Sequence, residues 1–579
     1  MGERMLATPG LLKQFVVLTF ALLSLVLIVA LYLPGLDTIW LYHEETRRAL
    51  VAREMMENTT WFTPTINQQA YWAKPPLFNW SIILASVFTD GQINELSARL
   101  PSLLSTLVLI VFLLLFTRRY FSYRLQIWLL FMVLFTPELT RKATSAELDT
   151  VFMVLVNLSW FSWFYFWQKH QSKRAWFISM TFVGLAYLCK REAALLCYFL
   201  SVIGFLIYSR SWHSINKRDF FTALLIPIFC AAIWWVPMLV QFGLDASIEL
   251  NQAEVTARQN RGSNIEYLTG VIGYPFKIIV ALLPASLLLP LLFNQHCRLN
   301  LKSTYGHFYH FCLITVIGNL LPLMLIGDSN VRYYLPMFIP ALLLSTMILN
   351  GGFTAADNTS TSKTLWPTYY RTWLTKPIPL LFSGVLLIAC TLLIITAPVS
   401  LPSSLGLVGV ISLTVLFMVH MLRKTAYTKT APQATSFMLF SIILVLLIRL
   451  VDISYSLPYR YQSLAKYRNI EAMLTQIKHI RNDLEQHNLA QGNVRKINVY
   501  GDHKLSHGIY FYDKTHLITS VNCQSFENNR NALWVFIKKQ DEPIDVATGD
   551  TLMAQFPYTK KYRLFVIATT SPSQYCQAN

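Results

Sequence analysis

Long apolar runs separated by short polar segments repeat along the first 452 residues of the chain. Because a helix needs roughly 20 apolar residues to cross a bilayer, these runs predict thirteen transmembrane helices, of which the third is short. Their ranges are 13–33, 98–117, 124–136, 147–167, 175–189, 193–209, 219–240, 277–294, 308–326, 334–350, 378–397, 404–422 and 435–452. The first run is too long for a cleaved signal peptide and only weakly followed by a cleavage site, so we interpret it as an anchor.

Basic residues between the runs predict the orientation of the chain. With the N-terminus in the cytoplasm, every predicted inner loop is basic and almost free of acids, as the positive-inside rule requires. The basic residues of these loops are Arg118, Arg119, Arg124, Lys169, Lys173, Arg174, Arg210, Lys217, Arg218, Arg298, Lys302, Lys363, Arg371, Lys376, Arg423, Lys424 and Lys429. The odd number of spans then places the C-terminal region, residues 453–579, outside the cytoplasm.

The predicted outer loops contain more than simple connections. The loop 34–97 includes two amphipathic stretches, near 44–57 and 77–88, and the loop 241–276 is also long and polar. Amphipathic stretches of this kind predict helices that lie in the membrane interface. A plain channel or carrier would not need these helices. They therefore favour a protein that works at the extracytoplasmic surface of the membrane that it spans.

After Leu457 the composition becomes that of a soluble domain, so we divide the chain into a transmembrane domain, 1–457, and a periplasmic domain, 458–579. In the second domain, β-rich runs alternate with helical candidates, which predicts a small α/β domain. The β-rich runs are 496–500, 516–519, 533–538 and 563–569, and the helical candidates are 464–487, 504–512 and 545–555. Cys523 and Cys576 could form one disulfide there, if the domain is outside the cytoplasm.

Composition excludes a water-soluble protein. Apolar residues make up 54% of the chain and charged residues 13%, whereas soluble domains are about 25% charged; the mean hydropathy is +0.43. The net charge of +18 comes from 48 Lys and Arg against 30 Asp and Glu. Because the basic residues lie between apolar runs, we assign this charge to membrane orientation and anionic headgroups rather than to nucleic acid. The predicted fold class is a polytopic α-helical membrane protein.

The first cluster of charged residues that could carry chemistry follows the first span and reads His43-Glu44-Glu45-Thr46-Arg47-Arg48. Carboxylates and arginines at the outer membrane face suit a site for an anionic, lipid-linked substrate. The alternative is a solvated interfacial helix whose Glu and Arg side chains pair at helical spacing. On charge alone, the second interpretation is favoured.

A wider pattern changes that balance. The segments Glu44-Glu45-Thr46-Arg47, Ala52-Arg53-Glu54-Met55, Tyr71-Trp72-Ala73-Lys74-Pro75-Pro76-Leu77 and Ala98-Arg99-Leu100-Pro101 occur in this order. Together they resemble the N-terminal signature of the GT-C membrane glycosyltransferases, in the branch of the protein O-mannosyltransferases and the bacterial lipid A aminoarabinose transferases. The thirteen spans and the C-terminal α/β domain are similar to the aminoarabinose transferases. The sharp motifs cover only residues 44–101.

The resemblance implies roles for residues that match the family motifs. Glu44 stands at the family's first Asp and keeps its carboxylate, and Glu45 and Arg47 match the Glu and Arg that follow. Tyr71 and Lys74 match residues near the donor phosphate. Glu44 and Glu45 are therefore candidate catalytic residues, and Arg47, Tyr71 and Lys74 candidate substrate-binding residues.

Further candidates lie along the rest of the chain. Asp149, at the outer start of the fourth span, is a third catalytic candidate because an acid at that depth is costly and usually functional or paired; Glu147 could share its role. Guanidinium, ammonium and phenol groups can bind phosphate oxygens, or else contact lipid headgroups. The substrate-binding candidates of this kind are Lys190, Arg258, Arg261, Arg332 and Tyr333.

The resemblance implies an inverting glycosyltransferase that moves a sugar from a polyprenyl-phosphate carrier at the periplasmic face of the bacterial inner membrane. The expected partners are this donor, lipid A or another envelope acceptor, and membrane lipids; we expect no nucleic acid and a monomer. An aminosugar such as aminoarabinose is one candidate. Two alternatives stay open: an O-mannosyltransferase-like enzyme that acts on hydroxyls, and a transporter or flippase, although the sequence contains no pseudo-repeat.

The metal requirement is also open from the sequence. Ala73 stands where the aminoarabinose enzymes commonly have Glu, and no His, Cys and carboxylate cluster has the spacing of a tight site. We therefore expect that no metal cofactor is required. The competing expectation comes from the oligosaccharyl transferases, distant relatives in the same class, which use a divalent ion.

The predicted topology can be tested by labelling. If the N-terminus is cytoplasmic and the number of spans is odd, an impermeant amine reagent added to intact spheroplasts should modify Lys504 and other residues of the C-terminal domain. Mass spectrometry of the labelled peptides gives the readout. Modification of Lys504 only after lysis would place this domain in the cytoplasm and invert the predicted orientation.

Overall fold

The computed structural model describes most of residues 32–352 and five strands between residues 496 and 569. The first part has gaps at 34–35, 38–40, 42–43, 67–68, 212–214, 246–247, 249–263 and 326–329. The first and the last three predicted spans lie almost entirely outside the described residues. The same holds for Cys523 and Cys576.

The first described segments lie before the long helices. Helix α1 spans Glu44–Glu57 and is followed by a two-residue hairpin, β1 at Thr65–Ile66 and β2 at Gln69–Ala70. Helix α2 spans Leu77–Ala85, and a 3₁₀ turn extends it over Ser86–Thr89.

The remaining helices of this region form a bundle of antiparallel neighbours. Their bounds are α3 Glu95–Thr117, α4 Tyr123–Phe135, α5 Pro137–Ala143, α6 Leu148–Gln168, α7 Ser172–Lys190, α8 Glu192–Ser209, α9 Lys217–Phe242, α10 Asn264–Ala281, α11 Gln295–Tyr305, α12 His307–Leu325 and α13 Leu335–Met347. A 3₁₀ segment at Ala285–Phe293 follows α10, and another at Val331–Tyr334 precedes α13. Six described helices (α3, α6, α8, α9, α12 and α13 with its flanking turns) are long and apolar enough to cross a membrane.

Local sequence explains where these helices begin. Asn94 caps α3: its side chain accepts a hydrogen bond from the Ser97 N–H, and the Ser97 hydroxyl accepts one from the Asn94 N–H, which is a reciprocal capping box. Asn216 and Asn294 accept from backbone N–H groups in the same way at α9 and α11. These caps satisfy donors that a helix start leaves unpaired.

The apolar side chains divide into an inner and an outer set. Trp160, Phe161, Trp163 and Phe164 of α6 are fully buried and lie at the centre of an aromatic cluster with α8 and α12. By contrast, one face of α3 is exposed along its length, at Leu104, Val108, Val111 and Leu115. Because these four residues recur at helical spacing, we assign this exposed face to the lipid.

The predicted span over 277–294 is broken in the structure. The chain forms α10 up to Ala281 and then a 3₁₀ segment from Ala285, with a bend of 120° between them. The break falls at Pro284, which lacks an N–H and also restricts the residue before it. Helix α10 moreover begins at Asn264, inside the segment predicted as a polar outer loop.

The two predicted interfacial helices differ. Helix α1 has the predicted bounds and is buried on most of its surface within the protein. Its inward charges have partners, because Glu45 pairs with Arg99 and the Thr65 hydroxyl donates to Glu54. Helix α2 and its 3₁₀ extension do present an apolar surface, with Leu84, Val87 and Phe88 more than 70% exposed.

The C-terminal strands form one mixed sheet. Strands β3 Lys496–Tyr500, β4 Leu517–Ser520, β5 Ala532–Lys539, β6 Thr551–Pro557 and β7 Tyr562–Thr569 pair in the order β4-β3-β5-β7-β6. The β3 strand is parallel to β4 and to β5, and the pairs that involve β7 are antiparallel. Four of the strands coincide within one residue with the predicted β-rich runs.

The predicted helix over 545–555 is wrong, because its second half forms β6. The segment Thr551-Leu552-Met553-Ala554-Gln555 contains several good helix formers, but pairing with β7 determines its conformation, since tertiary context overrides propensity in sheets. The other two helical candidates, 464–487 and 504–512, lie outside the described residues apart from position 479.

A buried ion pair holds α1 against the bundle. The Arg99 Nε and Nη2 atoms donate to the two Glu45 carboxylate oxygens at 2.9 and 3.0 Å. The Ala146 N–H donates to Glu45 Oε1 at 2.8 Å, and Arg99 Nη1 donates to the Leu36 carbonyl at 2.9 Å. One carboxylate thus connects α1 to the start of α3 and to the segment before α6.

Removal of one member of this pair should destabilise the fold. Arg99→Met leaves the Glu45 carboxylate buried without its main cation, and we expect a loss of about 3–5 kcal/mol in the free energy of unfolding. Arg174→Met is the control, because its exposed guanidinium donates to Gln171 on the surface, and such a substitution should change the free energy of unfolding by less than about 0.5 kcal/mol. Thermal unfolding in detergent measures both; equal unfolding temperatures would refute the anchoring role.

Candidate functional site

The predicted site residues that are described gather at one end of the bundle. At this end α3, α6, α8 and α13 begin, and α7 and α9 end. Helix α1 reaches the same end because Glu45 contacts Arg99 and Ala146 at the starts of α3 and α6. The antiparallel order of the helices therefore brings together residues that are far apart in the sequence.

Asp149 lies at the centre of this end, in the first turn of α6. Its side chain is 8% exposed and pairs with two lysines: Oδ1 accepts from Lys190 Nζ at 2.6 Å, and Oδ2 is 3.6 Å from Lys142 Nζ. The Lys142 ammonium also contacts the Glu147 carboxylate directly. Two carboxylates and two ammonium groups therefore form a nearly buried cluster with equal numbers of opposite charges, which we call the lysine–carboxylate cluster. At its edge, the Nη1 atom of Arg141, whose side chain is 45% exposed, lies 4.0 Å from Glu147 Oε1.

A break in the chain places Lys190 at this position. Helix α7 ends at Lys190 because Arg191 has φ 54°, in the left-handed region that is unfavourable for a side chain with a Cβ. The Arg191 guanidinium lies 5.6 and 5.3 Å from the ring centres of Trp234 and Trp235. These cation–π contacts stabilise the strained residue.

Arg332 and Tyr333 lie beside the cluster, in the turn before α13. The Lys190 ammonium lies 5.1 Å from the ring centre of Tyr333 and the same distance from that of Phe152. The Arg332 guanidinium covers the Tyr333 ring at 5.3 Å, with Nη2 3.4 Å from the hydroxyl, and is within electrostatic reach of Asp149. This side of the cluster thus presents two cations and a phenol.

A second group is formed by α1 and the segment before α2. The Arg48 Nη1 atom donates to the Tyr71 hydroxyl at 2.8 Å, and Glu44 pairs with Arg47 at 3.3 Å and with Arg48 at 3.4 Å. Burial by itself lowers the pKa of the Arg48 guanidinium, but Tyr71 and Glu44 outweigh it and raise that pKa. Arg48 therefore stays charged, and Asp149 contributes to its environment, which links the two groups.

The candidates differ in how easily a ligand can reach them. The Glu44 side chain is 30% exposed and that of Arg47 25%, and Lys74 is half-buried in the bend before α2. Glu45, in contrast, is 9% exposed and uses both oxygens on Arg99 and Ala146. Its contacts are those of an anchor, so Glu44 is the better placed of the two carboxylates to meet a substrate. Arg258 and Arg261 lie outside the described residues.

The structure adds two residues that we did not predict individually, Lys142 and Arg48. A signal for Lys142 is present in the sequence: Arg141 and Lys142 are basic residues in a predicted outer loop, against the positive-inside bias, and they precede Glu147 and Asp149 directly. Arg48 stood in the charged cluster after the first span, but only the fold shows that it reaches Tyr71. Within the described ranges, no group of three or more His, Cys, Asp or Glu is arranged to hold a metal ion.

One protein-family profile matches the segments of the chain that build this site. A family profile described as dolichyl-phosphate-mannose-protein mannosyltransferase matches residues 73–235. This range includes Lys74, Lys142, Asp149 and Lys190. The match covers the segments that build the lysine–carboxylate cluster.

Two relatives share the name undecaprenyl phosphate-alpha-4-amino-4-deoxy-L-arabinose arabinosyl transferase. The protein from Shewanella sediminis (strain HAW-EB3) is 30% identical over 195 residues, which cover 33% of this chain and 35% of that protein. The protein from Wigglesworthia glossinidia brevipalpis is 28% identical over 183 residues, which cover 30% and 31%. The chain thus matches about a third of the length of these relatives.

Solved structures extend the likeness to most of the fold. The crystal structure of ArnT from Cupriavidus metallidurans bound to undecaprenyl phosphate has a TM-score of 0.62 at 15% identity, and covers 95% of this chain and 98% of its own. The same protein in the apo state has a TM-score of 0.62 at 17% identity, with 96% and 98% covered. The chain therefore shares the fold of this protein. Taken together with the family profile and the two relatives, the chain resembles the GT-C membrane glycosyltransferases.

The charge balance of the lysine–carboxylate cluster leads to a testable prediction. Asp149→Asn leaves two nearly buried ammonium groups with one carboxylate, so we expect a loss of about 3 kcal/mol in unfolding free energy. The same change should tighten the binding of polyprenyl monophosphate, because the surplus positive charge attracts the anion. Thermal unfolding and ligand titration measure the two effects. Glu138→Gln, which alters a pair with the exposed Arg141, is the control, and weaker phosphate binding by Asp149→Asn would contradict this assignment.

Proposed function

We propose that this chain is an inverting membrane glycosyltransferase that takes a sugar from a polyprenyl-phosphate carrier and transfers it to an acceptor in the cell envelope. The observation that carries the proposal is the lysine–carboxylate cluster, in which Asp149 lies between Lys190 and Lys142 with Arg332 close by. Cations suit the phosphate of the donor, and carboxylates suit the sugar or the attacking group. The shared fold and the family profile support the same class.

The reaction that fits these residues is a single displacement at the anomeric carbon. The acceptor oxygen forms a bond to that carbon as the bond to the phosphate oxygen breaks, and the carrier phosphate leaves with the electron pair. Lys190 and Arg332 would bind this phosphate, and Lys74 and Arg47 would approach it from the other group. Positive charges that lie beside the leaving phosphate stabilise the negative charge that it gains, and so they lower the barrier to the reaction.

The carboxylates would then act on the sugar and the acceptor. Asp149 becomes available as an acceptor of hydrogen bonds or protons when Lys190 turns to the phosphate. Glu44, which is 30% exposed, can reach the sugar or the attacking group. We assign to Glu45 the role of an anchor for α1, since Arg99 and Ala146 already occupy its oxygens.

We propose that the sugar is an aminosugar of the aminoarabinose type and that the acceptor is a phosphate of lipid A. The names of the two curated relatives support the sugar and its undecaprenyl phosphate carrier. An ammonium group on the sugar gives Glu44 a direct partner. A phosphate acceptor is already ionised near neutral pH, because its second pKa is about 6, so the reaction needs no strong base. We also propose that the transfer requires no metal and that the chain acts as a monomer.

The protein is a multi-pass membrane protein, and we propose that its site faces the periplasm. Basic residues at the opposite helix ends support this orientation: Arg118 follows α3, Lys169 follows α6 and Arg210 follows α8. Cytoplasmic loops carry such an excess of basic residues. The N-terminus would then be cytoplasmic, and the C-terminal sheet periplasmic.

A second candidate acts on hydroxyl groups instead of phosphates. The family profile is described as a protein mannosyltransferase, and this description supports an acceptor of the Ser or Thr type. A hydroxyl must lose a proton during the transfer, and a general base typically contributes about 10²–10⁴-fold to such a step. The two candidates therefore require different behaviour from Glu44.

Glu44→Gln separates them. The variant keeps the shape and hydrogen bonding of the side chain but removes its charge and basicity. With a neutral-sugar donor and a lipid A phosphate acceptor, we expect measurable transfer to remain; with an aminosugar donor, the loss of a salt bridge should lower the rate further. Mass spectrometry of lipid A and surface glycans, with and without the protein, identifies the product.

Two results would overturn parts of the proposal. A product with the sugar on a hydroxyl, together with an inactive Glu44→Gln variant, would favour the O-mannosyltransferase-like enzyme. Movement of an intact lipid-linked sugar across vesicles, without any transfer, would favour a flippase. Glu138→Gln serves as the control for a change of charge at an acidic residue outside the site.

A further inference from the structure

Lys142 is a buried cation to which the proposed reaction assigns no role. Its side chain is 3% exposed, touches the Glu147 carboxylate and lies 3.6 Å from Asp149 Oδ2. A side chain this buried does not meet a substrate that enters from the membrane surface. Any effect of Lys142 on the reaction must therefore pass through the two carboxylates that it holds.

The backbone of Lys142 is also held in place. The Thr150 hydroxyl donates to the Lys142 carbonyl at 2.8 Å, and the Ser145 hydroxyl donates to the same carbonyl at 3.2 Å. Thr150 belongs to the first turn of α6, next to Asp149. These bonds connect the end of α5 to the turn that carries the central carboxylate, so Lys142 stays beside Asp149 when other partners change.

The two lysines of the cluster are not equivalent. Lys190 is 12% exposed and lies beside Arg332 and Tyr333, whereas Lys142 lies deeper. Only Lys190 is placed to exchange Asp149 for an incoming phosphate. Once it does so, Lys142 is the buried cation that remains beside Asp149 and Glu147, and the exposed Arg141 lies 4.0 Å from Glu147.

We propose that Lys142 is a positioning residue that holds Asp149 and Glu147 in place and offsets their negative charge while Lys190 moves to the donor phosphate. The proposal rests on the proposed function, because it requires an anionic donor at Lys190. Without Lys142, the nearly buried groups Asp149, Glu147 and Lys190 would carry a net charge of −1, with only the exposed Arg141 at their edge. Lys190 would then be held more tightly by Asp149, and the phosphate of the donor would be repelled.

The test compares variants of the full-length chain in detergent by two measurements. These are the Kd for polyprenyl monophosphate and the KM and kcat for a polyprenyl-phosphate-linked sugar. We expect Lys142→Met to raise Kd and donor KM by about tenfold. The loss of one positive charge from the neighbourhood of the bound phosphate produces an effect of this size. Lys142→Arg should restore both values to within about twofold of the wild type.

Removal of the surplus negative charge provides the sharpest comparison. The double variant Lys142→Met/Glu147→Gln is charge-balanced again, so its Kd should return most of the way to the wild-type value, a non-additive result. Lys173→Met is the matched control, since it is the same substitution at an exposed lysine in the first turn of α7, at the opposite end of that helix from Lys190. We expect it to leave Kd, KM and kcat unchanged.

A purely structural role predicts a different pattern. In that case both Lys142→Met and the double variant would lose thermal stability, and the added Glu147→Gln change would not restore the affinity for polyprenyl monophosphate. This result would overturn the proposal. A folded Lys142→Met variant with the wild-type Kd would also overturn it. If Lys142→Met does not fold, the double variant and Lys142→Arg still decide the question through Kd. Absence of sugar transfer by the wild type would instead refute the proposed function, and the order of the Kd values would remain interpretable.

Discussion

The buried pair between Glu45 and Arg99 is the interaction on which the arrangement of the site depends. A carboxylate in a low-dielectric interior needs a close cation and further donors, and Glu45 obtains both from Arg99 and the Ala146 N–H. This requirement fixes α1 against α3 and α6. Because Glu44 and Arg47 flank Glu45 on the same helix, the position of the substrate-facing charges follows from the anchor.

Pairing of opposite charges recurs in the rest of the site. The described charges occur in opposed sets: Asp149 lies between two lysines, and Glu44 lies beside two arginines. A balanced network is stable in the absence of a ligand, yet an incoming phosphate can replace one carboxylate as the partner of a lysine. In the proposed function, binding of the donor is therefore an exchange of ion-pair partners, and it does not require the exposure of a buried charge.

The surroundings place this network beside the bilayer. Helix α2 packs against α3, and both present exposed apolar side chains, which include Leu84, Val87 and Phe88 of the α2 segment. Near them, the Trp80 indole donates to the Trp61 carbonyl and its ring contacts Phe62. Aromatic residues with a polar atom suit the interface between lipid and water. A lipid-linked substrate could thus approach the charged site without leaving the membrane.

Much of this organisation was available from the sequence by itself. Apolar length predicted the spans near α3, α6, α8, α9 and α12, because the cost of polar groups in lipid leaves a strong and local signal. Short motifs indicated Glu44, Tyr71, Lys74 and Asp149 as members of one site. The bounds of α1 were also predicted, since its charged and apolar residues recur at helical spacing.

Only the tertiary structure decided how these parts are used. Burial of α1, the anchoring contacts of Glu45, the bend at Pro284 and the strand at Thr551–Pro557 all depend on partners distant in the sequence. The same is true of Lys142, whose proposed role depends on its contact with Asp149 in the fold. Helical periodicity shows which side of a segment is polar, but it does not show whether water or another charge faces that side. That difference separates an exposed interfacial helix from a buried, ion-paired one.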